Sequence, residues 1–452
     1  MLELPQITAP GEKPETDIGS YFVANYPPFS VWSRDHLPAA LSALNAVPTR
    51  PVGEPHDRAP APLGLYLHIP FCRKRCKFCY FRVYTDKNAS EVDVYCDALA
   101  HEIELYSRMP ALDGRQFEFV YFGGGTPSFL SEKQLLKLVE RINRHWRWDA
   151  AREVTFECEP GTLKKHKLEA IRQIGVTRLS LGVEHFDDQL LEQNGRAHQS
   201  AEIFQAYEWA REVGFPQINI DLIAGMVGET DAKWESAVEK ALAMQPDSLT
   251  IYQMEMPHNT VLSRESKSSG DPVPIAGWPT KRAWVDHAFR RFESAGYAIS
   301  SAYTLVKPSE RSSFVYRDSL WHGADMIGTG VASFSHFAGV HFQNVDTWDE
   351  YVAKCAAREL PINRAFPMTP RQRLTRELIL QLKTGRLDDA YFREKFGESI
   401  TDQFLEAFGA LVADGYARID GDCITLTRAG LLVVDPLLPR FFEDQFRNVR
   451  YT

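Results

Sequence analysis

From Leu63 onward the chain alternates short apolar runs of strand length with longer segments whose apolar positions recur at helical spacing. The strand-like runs are Leu63–His68, Phe117–Phe122, Glu153–Glu157, Arg178–Val183, Ile218–Ile223 and Ser248–Gln253. Between them lie helical patterns near 90–108, 131–146, 164–173, 200–213 and 231–243. Strands that alternate with helices in this way predict a parallel sheet with right-handed crossovers, and a partial (β/α)6 barrel is the most economical α/β arrangement. In such barrels the chemistry gathers at the carboxyl ends of the strands.

The pattern changes on both sides of this core. Residues 1–60 are rich in proline and poor in periodicity, although the aromatic stretch Tyr21–Leu44 has enough ring surface to pack on something. From about 367 come helical patterns at 370–382, 388–395 and 400–414, then two short strands, Tyr416–Ile419 and Ile424–Leu426. These strands bracket Asp420-Gly421-Asp422, where Asp-Gly is a hairpin signal. Helices followed by a small hairpin predict a winged-helix-like module. The expected division is an N-terminal arm at 1–60, the barrel at 61–365 and a C-terminal winged-helix-like helical cap at 366–452.

Composition narrows the class. With 452 residues, 44% hydrophobic and 25% charged, the chain is globular and too long for one core. The N-terminus carries no basic apolar leader, and no long apolar run occurs, so a cytoplasmic protein with reduced thiols is expected. A formal charge of -9 argues against a general nucleic-acid binder, and the C-terminal module lacks a concentrated basic face, which favours a cap over a DNA reader.

Candidate chemistry begins at Tyr66-Leu67-His68-Ile69-Pro70-Phe71-Cys72-Arg73-Lys74-Arg75-Cys76-Lys77-Phe78-Cys79, which holds three of the seven cysteines. One loop with this spacing turns three sulfurs onto a soft metal centre. A closed zinc site needs a fourth Cys or His at a recognisable spacing, and the next cysteine, Cys96, lies in a helical pattern, so iron is favoured. Three thiolates on a four-iron cube leave one iron open to a ligand. The competing readings are a zinc knot or three core thiols. Arg73, Lys74, Arg75 and Lys77 make the loop basic, either as a collar for an acidic electron donor or as a solvated run.

The Cys-x3-Cys-x2-Cys spacing resembles the signature of the radical S-adenosylmethionine (SAM) superfamily. Tyr-x-His-Ile-Pro-Phe-Cys ahead of it resembles the branch containing oxygen-independent coproporphyrinogen III oxidase. The resemblance implies a [4Fe–4S] cluster on Cys72, Cys76 and Cys79, whose open iron chelates SAM and whose electron releases a 5'-deoxyadenosyl radical. It also implies reduced flavodoxin or ferredoxin as electron donor. Tyr66 would sit beside the cluster ligands and Phe78 beside adenine. Gly124, Gly125 and Thr126, in Gly123-Gly124-Gly125-Thr126-Pro127, resemble the family segment that holds the SAM amino group, its glycines offering peptide groups at close approach. Glu157 matches a SAM-contacting acid. Glu184, Arg196 and Asp221 match contacts to a second SAM, and Phe334, in Gly328-Thr329-Gly330-Val331-Ala332-Ser333-Phe334, matches a position near SAM. The aromatic stretch resembles the arm that covers the barrel mouth in that oxidase.

Two departures limit the transfer. The oxidase carries a fourth cysteine where this chain continues Cys79-Tyr80-Phe81, and Glu184 stands where it has Gln. The expectation drawn from this is an enzyme that binds two SAM molecules and moves a methyl or methylene group onto an sp2 carbon of a small planar, aromatic or quinone-like substrate, as class C methylases and cyclopropanating relatives do. The alternatives are oxidative decarboxylation of coproporphyrinogen III, supported by the arm and the C-terminal module, and a haem chaperone of the same superfamily.

Overall fold

The computed structural model describes residues 25–47, 61–256, 260–269, 273–309 and 313–447, so 1–24 and 48–60 of the expected arm lie outside the described residues. After a first helix α1 (Leu37–Asn45), six strands alternate with helices. They run β1 (Leu63–Ile69), α2 (Ala89–Ser107), β2 (Phe117–Gly124), α3 (Glu132–Asn143), β3 (Glu153–Cys158), α4 (Lys165–Gln173), β4 (Arg178–Glu184), α5 (Asp188–Gln193), α6 (Ser200–Val213), β5 (Gln217–Ala224), α7 (Asp231–Met244) and β6 (Ser248–Gln253). Local chemistry sets the helix ends. Asn88 and Glu91 form a capping box at the start of α2, Ser131 and Gln134 another on α3, and α6 stops where Gly214 takes a left-handed conformation.

Neighbouring strands from β1 to β6 pair in parallel, as the partial barrel requires. The chain then adds α8 (Val261–Ser269), α9 (Trp278–Ser294), β7 (Ala298–Ser301), β8 (Thr304–Val306), α10 (Val315–Trp321), β9 (Asp325–Thr329), β10 (Phe334–Phe337), β11 (Val340–Asn344), α11 (Trp348–Ala356) and β12 (Ile362–Pro367). These strands extend the barrel sheet to 12 strands, in the order β12-β11-β10-β9-β1-β2-β3-β4-β5-β6-β8-β7. Strand β9 joins β1 in parallel, and the outermost strands on both sides are antiparallel.

The described part of the arm packs on the β10–β12 side. Trp32 stacks on His341 at 4.8 Å and meets Phe334 edge-on, Phe29 lies 6.1 Å from Phe334, and Ser33 bridges to Ala365 of β12. Tyr26, fully buried, contacts Phe442 and Phe446 from the far end of the chain.

C-terminal to the sheet come α12 (Pro370–Leu382), β13 (Arg386–Asp388), α13 (Asp389–Phe396), α14 (Ile400–Gln403), α15 (Leu405–Ala413), β14 (Ala417–Asp420) and β15 (Cys423–Leu426). The helical pattern expected over 400–414 breaks at Phe404, whose ψ of 37° is not helical. In the hairpin Asp420 pairs with Cys423, so Gly421 and Asp422 form the two-residue turn, with Gly421 at φ 56°. Helix α12 begins at the β10–β11 turn, where Met368 N–H donates to Gly339 O at 3.0 Å. It ends at the β7–β8 turn, where Ala302 N–H donates to Lys383 O at 2.8 Å. It therefore ties together the two sides of a sheet that does not close on itself.

Candidate active site at the carboxyl ends of the strands

The parallel register places one set of alternating side chains inside the barrel. Tyr66 of β1 aligns with Tyr121 of β2, which aligns with Thr155 of β3 and through it with Arg178 of β4. Glu157 aligns with Ser180, Ser180 with Asn219, and Asp221 with Thr250. The lumen is thus polar where the outer faces are apolar.

At its rim the three cysteines lie on the loop after β1, all free and partly exposed. Backbone bonds pin the loop: Cys72 N–H donates to Tyr84 O, Lys77 N–H to Asn194 O, and Leu262 N–H, from α8, to Lys77 O. Side chains reach the sulfurs themselves. Thr126 Oγ1 lies 3.4 Å from Cys72 Sγ, and Arg196 Nη1 lies 3.3 Å from Cys76 Sγ. Burial pushes the Cys72 thiol up to about 12 and that of Cys79 to about 11.

The basic run is mostly spent on the fold. Arg73 holds Glu159 through two nitrogens, at 2.5 and 3.2 Å, Arg75 donates to Cys79 O, and Lys77 pairs with Glu265 at 3.2 Å. Burial raises the Glu159 carboxyl, but hydrogen bonds from His198 and Arg73 and the nearby guanidinium charges bring it down to about 2.

The glycine segment also serves the cysteine loop. Gly125 N–H donates to Ile69 O at 2.9 Å and Thr126 N–H to Phe71 O at 2.8 Å, so these two N–H groups stitch the turn to the loop entry. Gly124 adopts φ 111°, and a Cβ there would stand 2.6 Å from the His68 ring. Its N–H and the Tyr121 hydroxyl, at 2.6 Å, both donate to Glu157.

The acids lie near one another in the lumen. Glu184 sits at φ 64°, at a register shift in the β4–β5 pairing, and a non-glycine residue there is strained. Arg196 Nη2 donates to Gly182 O at 2.7 Å and stands 3.6 Å from Glu184 Oε1, so this one guanidinium joins Cys76 to the end of β4. Asp221 accepts from Ser180 at 2.8 Å and Asn219 at 2.9 Å. Burial pushes Glu157 and Glu184 up to about 7, with the charge of Asp221 adding to the rise and Arg178 and Arg196 respectively opposing it. Burial works against the charge of Arg196, but Cys76, Glu184 and Glu159 more than offset it.

Tyr66 stacks on Tyr121 at 5.6 Å, and Tyr121 lies 4.3 Å from Tyr316 of α10. Phe78 packs with Leu190, Ile223, Met226 and Met254. Sequence reasoning missed Arg178, Glu153 and Tyr316. Arg178 is the buried counter-charge to Glu153, Glu157 and Asp221, 4.0 Å from the Phe314 ring. Glu153 accepts the N–H groups of Val315 and Tyr316, so it fixes the start of α10 under the tyrosines. The alternation of charged and apolar residues along β3 and β4 is the signal that could have found the first two; Tyr316 leaves none.

Residues 66–241 match the radical SAM superfamily and residues 368–433 the HemN C-terminal domain. The fold superposes on the solved structure of coproporphyrinogen III oxidase (HemN) from Escherichia coli with a TM-score of 0.79 at 24% identity, covering 93% of this chain and 96% of that one. The chain carries a radical SAM domain followed by a HemN C-terminal domain. Among curated relatives, this radical SAM protein is 28% identical over 384 residues to the heme chaperone HemW of Bacillus subtilis, covering 84% of this chain and 99% of that one. It is 26% identical over 388 residues to the oxygen-independent coproporphyrinogen III oxidase of Escherichia coli, covering 82% and 84%.

These relatives overturn the expectation of methyl or methylene transfer, and with it the methyltransferase and cyclopropanation reading: the proteins matched are named as coproporphyrinogen oxidases and heme chaperones, and the C-terminal residues are those of a HemN domain. Radical SAM proteins work with a [4Fe–4S] cluster and SAM. Three free thiols on one pinned loop fit the cluster's donor set, while among the described residues no group of three or more His, Cys, Asp or Glu side chains suits a single metal ion. Among the described residues no helix is long and apolar enough to cross a membrane.

Proposed function

We propose that this radical SAM protein cleaves SAM reductively and directs that chemistry at a propionate side chain of a porphyrinogen, in oxidative decarboxylation of the coproporphyrinogen III type. The observation that carries the reading is the convergence of Arg196 on both Cys76, at 3.3 Å, and Glu184, at 3.6 Å, at the mouth of a polar lumen, within a fold that matches the E. coli oxidase over nearly its whole length.

When bound on Cys72, Cys76 and Cys79, the cluster supplies the electron that breaks the SAM sulfonium. The chain's own residues bind and orient. A zwitterionic amino acid presents a carboxylate and an ammonium, and Arg196 beside Glu184 offers a partner for each. Asp221, held by Ser180 and Asn219, extends the acidic wall inward, where a second SAM would lie. Thr126 borders the Cys72 thiol, Tyr66 lines the lumen against Tyr121, Phe78 and Phe334 would supply apolar edges for adenine, and Gly124 with Gly125 keeps the turn low enough for a ligand to pass. Tyr121 and Tyr316 form an aromatic wall against which a planar tetrapyrrole rests. Reduced flavodoxin or ferredoxin is the electron donor in this reading.

The second reading, a haem chaperone, is favoured by one observation: Tyr80 and Phe81 follow Cys79, and Phe81, 49% exposed, stands where the oxidase signature has its fourth cysteine. One anaerobic experiment separates the two. Reconstituted protein is given SAM, dithionite and coproporphyrinogen III, with tetrapyrroles resolved by chromatography and haem binding followed by its Soret band in parallel. Release of carbon dioxide with vinyl products is expected; a stable haem complex with no decarboxylation overturns the enzymatic reading in favour of the chaperone.

A further inference from the structure

Helix α2 carries a fully buried carboxylate, Glu102, on the opposite side of β1 from the lumen. Its partners are all neutral. Oε2 accepts from Gly330 N–H at 2.8 Å and from the Tyr351 hydroxyl at 2.6 Å, and Oε1 accepts from Asn344 Nδ2 at 2.6 Å. Asn344 Nδ2 also donates to Gly330 O at 2.9 Å, and Ser333 Oγ donates to the same oxygen at 2.7 Å. One residue earlier in the turn, Thr329 Oγ1 donates to Tyr66 O at 3.0 Å; one residue later, Val331 N–H donates to Tyr95 Oη at 3.0 Å, and Tyr95 donates in turn to His68 O at 2.8 Å.

The segment so held is Gly328–Phe334, which leaves β9 in an unfavourable conformation. Gly330 takes φ 100° and Ala332, a non-glycine residue, φ 60°. A Cβ on Gly330 would stand 2.6 Å from Tyr95 Oη and 2.8 Å from His68 O. Such a backbone persists only where its surroundings over-determine it. An unpaired carboxylate removed from water is costly, and apolar packing would fill the same space at less cost, so the arrangement is explained by the geometry it imposes.

We propose that Glu102 is a positioning residue that holds the Gly328–Phe334 turn against the active end of β1 and so sets the rim of the SAM site. The inference rests on the functional reading above, since it takes this rim to border SAM. Glutamine at this position keeps the shape but turns an amide N–H toward one of three groups that are themselves donating. Asn344 cannot turn over to accept without losing its bonds to Gly330 and Ser333.

The test measures SAM affinity by anaerobic equilibrium dialysis on the full-length, reconstituted protein, with iron and sulfide content and thermal midpoint read alongside. For Glu102→Gln a rise of about tenfold in the SAM Kd with unchanged iron and sulfide is expected. Tyr351→Phe, which removes one donor, should raise it about threefold. Gly330→Ala, which displaces the turn while leaving the Glu102 side chain itself unaltered, should match Glu102→Gln. An unchanged Kd in Glu102→Gln, whether or not the midpoint falls, overturns the proposal, as does loss of the cluster in that variant, which would assign the carboxylate to the cysteine loop. Should Glu102→Gln not fold, Tyr351→Phe decides by the same Kd criterion. Wild-type protein with a full cluster and no SAM binding would sink the functional reading itself.

Discussion

The two faces of the barrel strands do opposite work on the same backbone. On β3 the outward residues Val154, Phe156 and Cys158 are buried among the helices, while Glu153, Thr155 and Glu157 turn inward to hydroxyls, peptide N–H groups and Arg178. On β5 Ile218, Ile220 and Leu222 face out, and Asn219 and Asp221 face in. A strand of period two can therefore carry a hydrophobic core and an ionisable chamber at once. The lesson is a separation of tasks: outward substitutions should cost stability and leave the chemistry legible, and inward ones the reverse.

The sharpest break should come at the chamber's mouth. Cys76→Ala is expected to reduce SAM cleavage to background and to lower the iron bound per chain, with a thermal midpoint of the cluster-free protein close to that of cluster-free wild type. Next comes the outer face: Phe156, fully buried and 5.0 Å from Phe122, should cost about 3–5 kcal/mol of unfolding free energy as Phe156→Ala in denaturant titration. Cluster content in the surviving folded protein should be unchanged; a selective loss of iron would show that the two faces are not separable.

The chamber acids give a smaller effect with a definite sign. Glu157 and Glu184 rise from an ordinary 4.5 to about 7 in the fold, so their protonated forms are favoured there. The stability they contribute is fully present below about pH 4.5 and is lost as the pH climbs through about 7. The thermal midpoint of ligand-free protein should therefore fall between about pH 5 and 7. Glu184→Gln should flatten that slope, equalling wild type near pH 5 and exceeding it near pH 8 by on the order of 1 kcal/mol. A variant less stable than wild type at both values would show that the carboxylate is a net support. The smallest effect is expected at the loop surface, where Lys77 and Glu265 are 37% and 52% exposed: Lys77→Ala should cost about 0.5 kcal/mol or less by thermal melt.

How far the sequence disclosed this arrangement follows from the same division. From Leu63 to Gln253 the strands announce themselves because their outward positions are continuously apolar, and each expected strand lies within one or two residues of the observed one. The flanking strands β7–β12 went unread. Several are only three to five residues long, and β9 and β10, with Gly328, Ser335 and His336, lack an apolar run. Among site residues, the cysteines were legible from spacing alone. Arg196 was tied to the site by resemblance, but its hydrogen bond to Cys76 spans 120 positions and has no local trace. Glu102 was the least legible: in His101-Glu102-Ile103-Glu104 it looks like one of two acids on a solvated helix, and only the packing of α11 and β11 over α2 distinguishes it from Glu104.

Helix α12 has a consequence for traffic into the chamber. Because it is anchored at one end to the β10–β11 turn and at the other to the β7–β8 turn, it acts as a crossbar on a gate that the sheet leaves ajar. Nicking the backbone just ahead of Thr369 would unhook one end. Water reaching the interior from the side would relieve Glu157 of its desolvation and let it ionise at a more ordinary acidity.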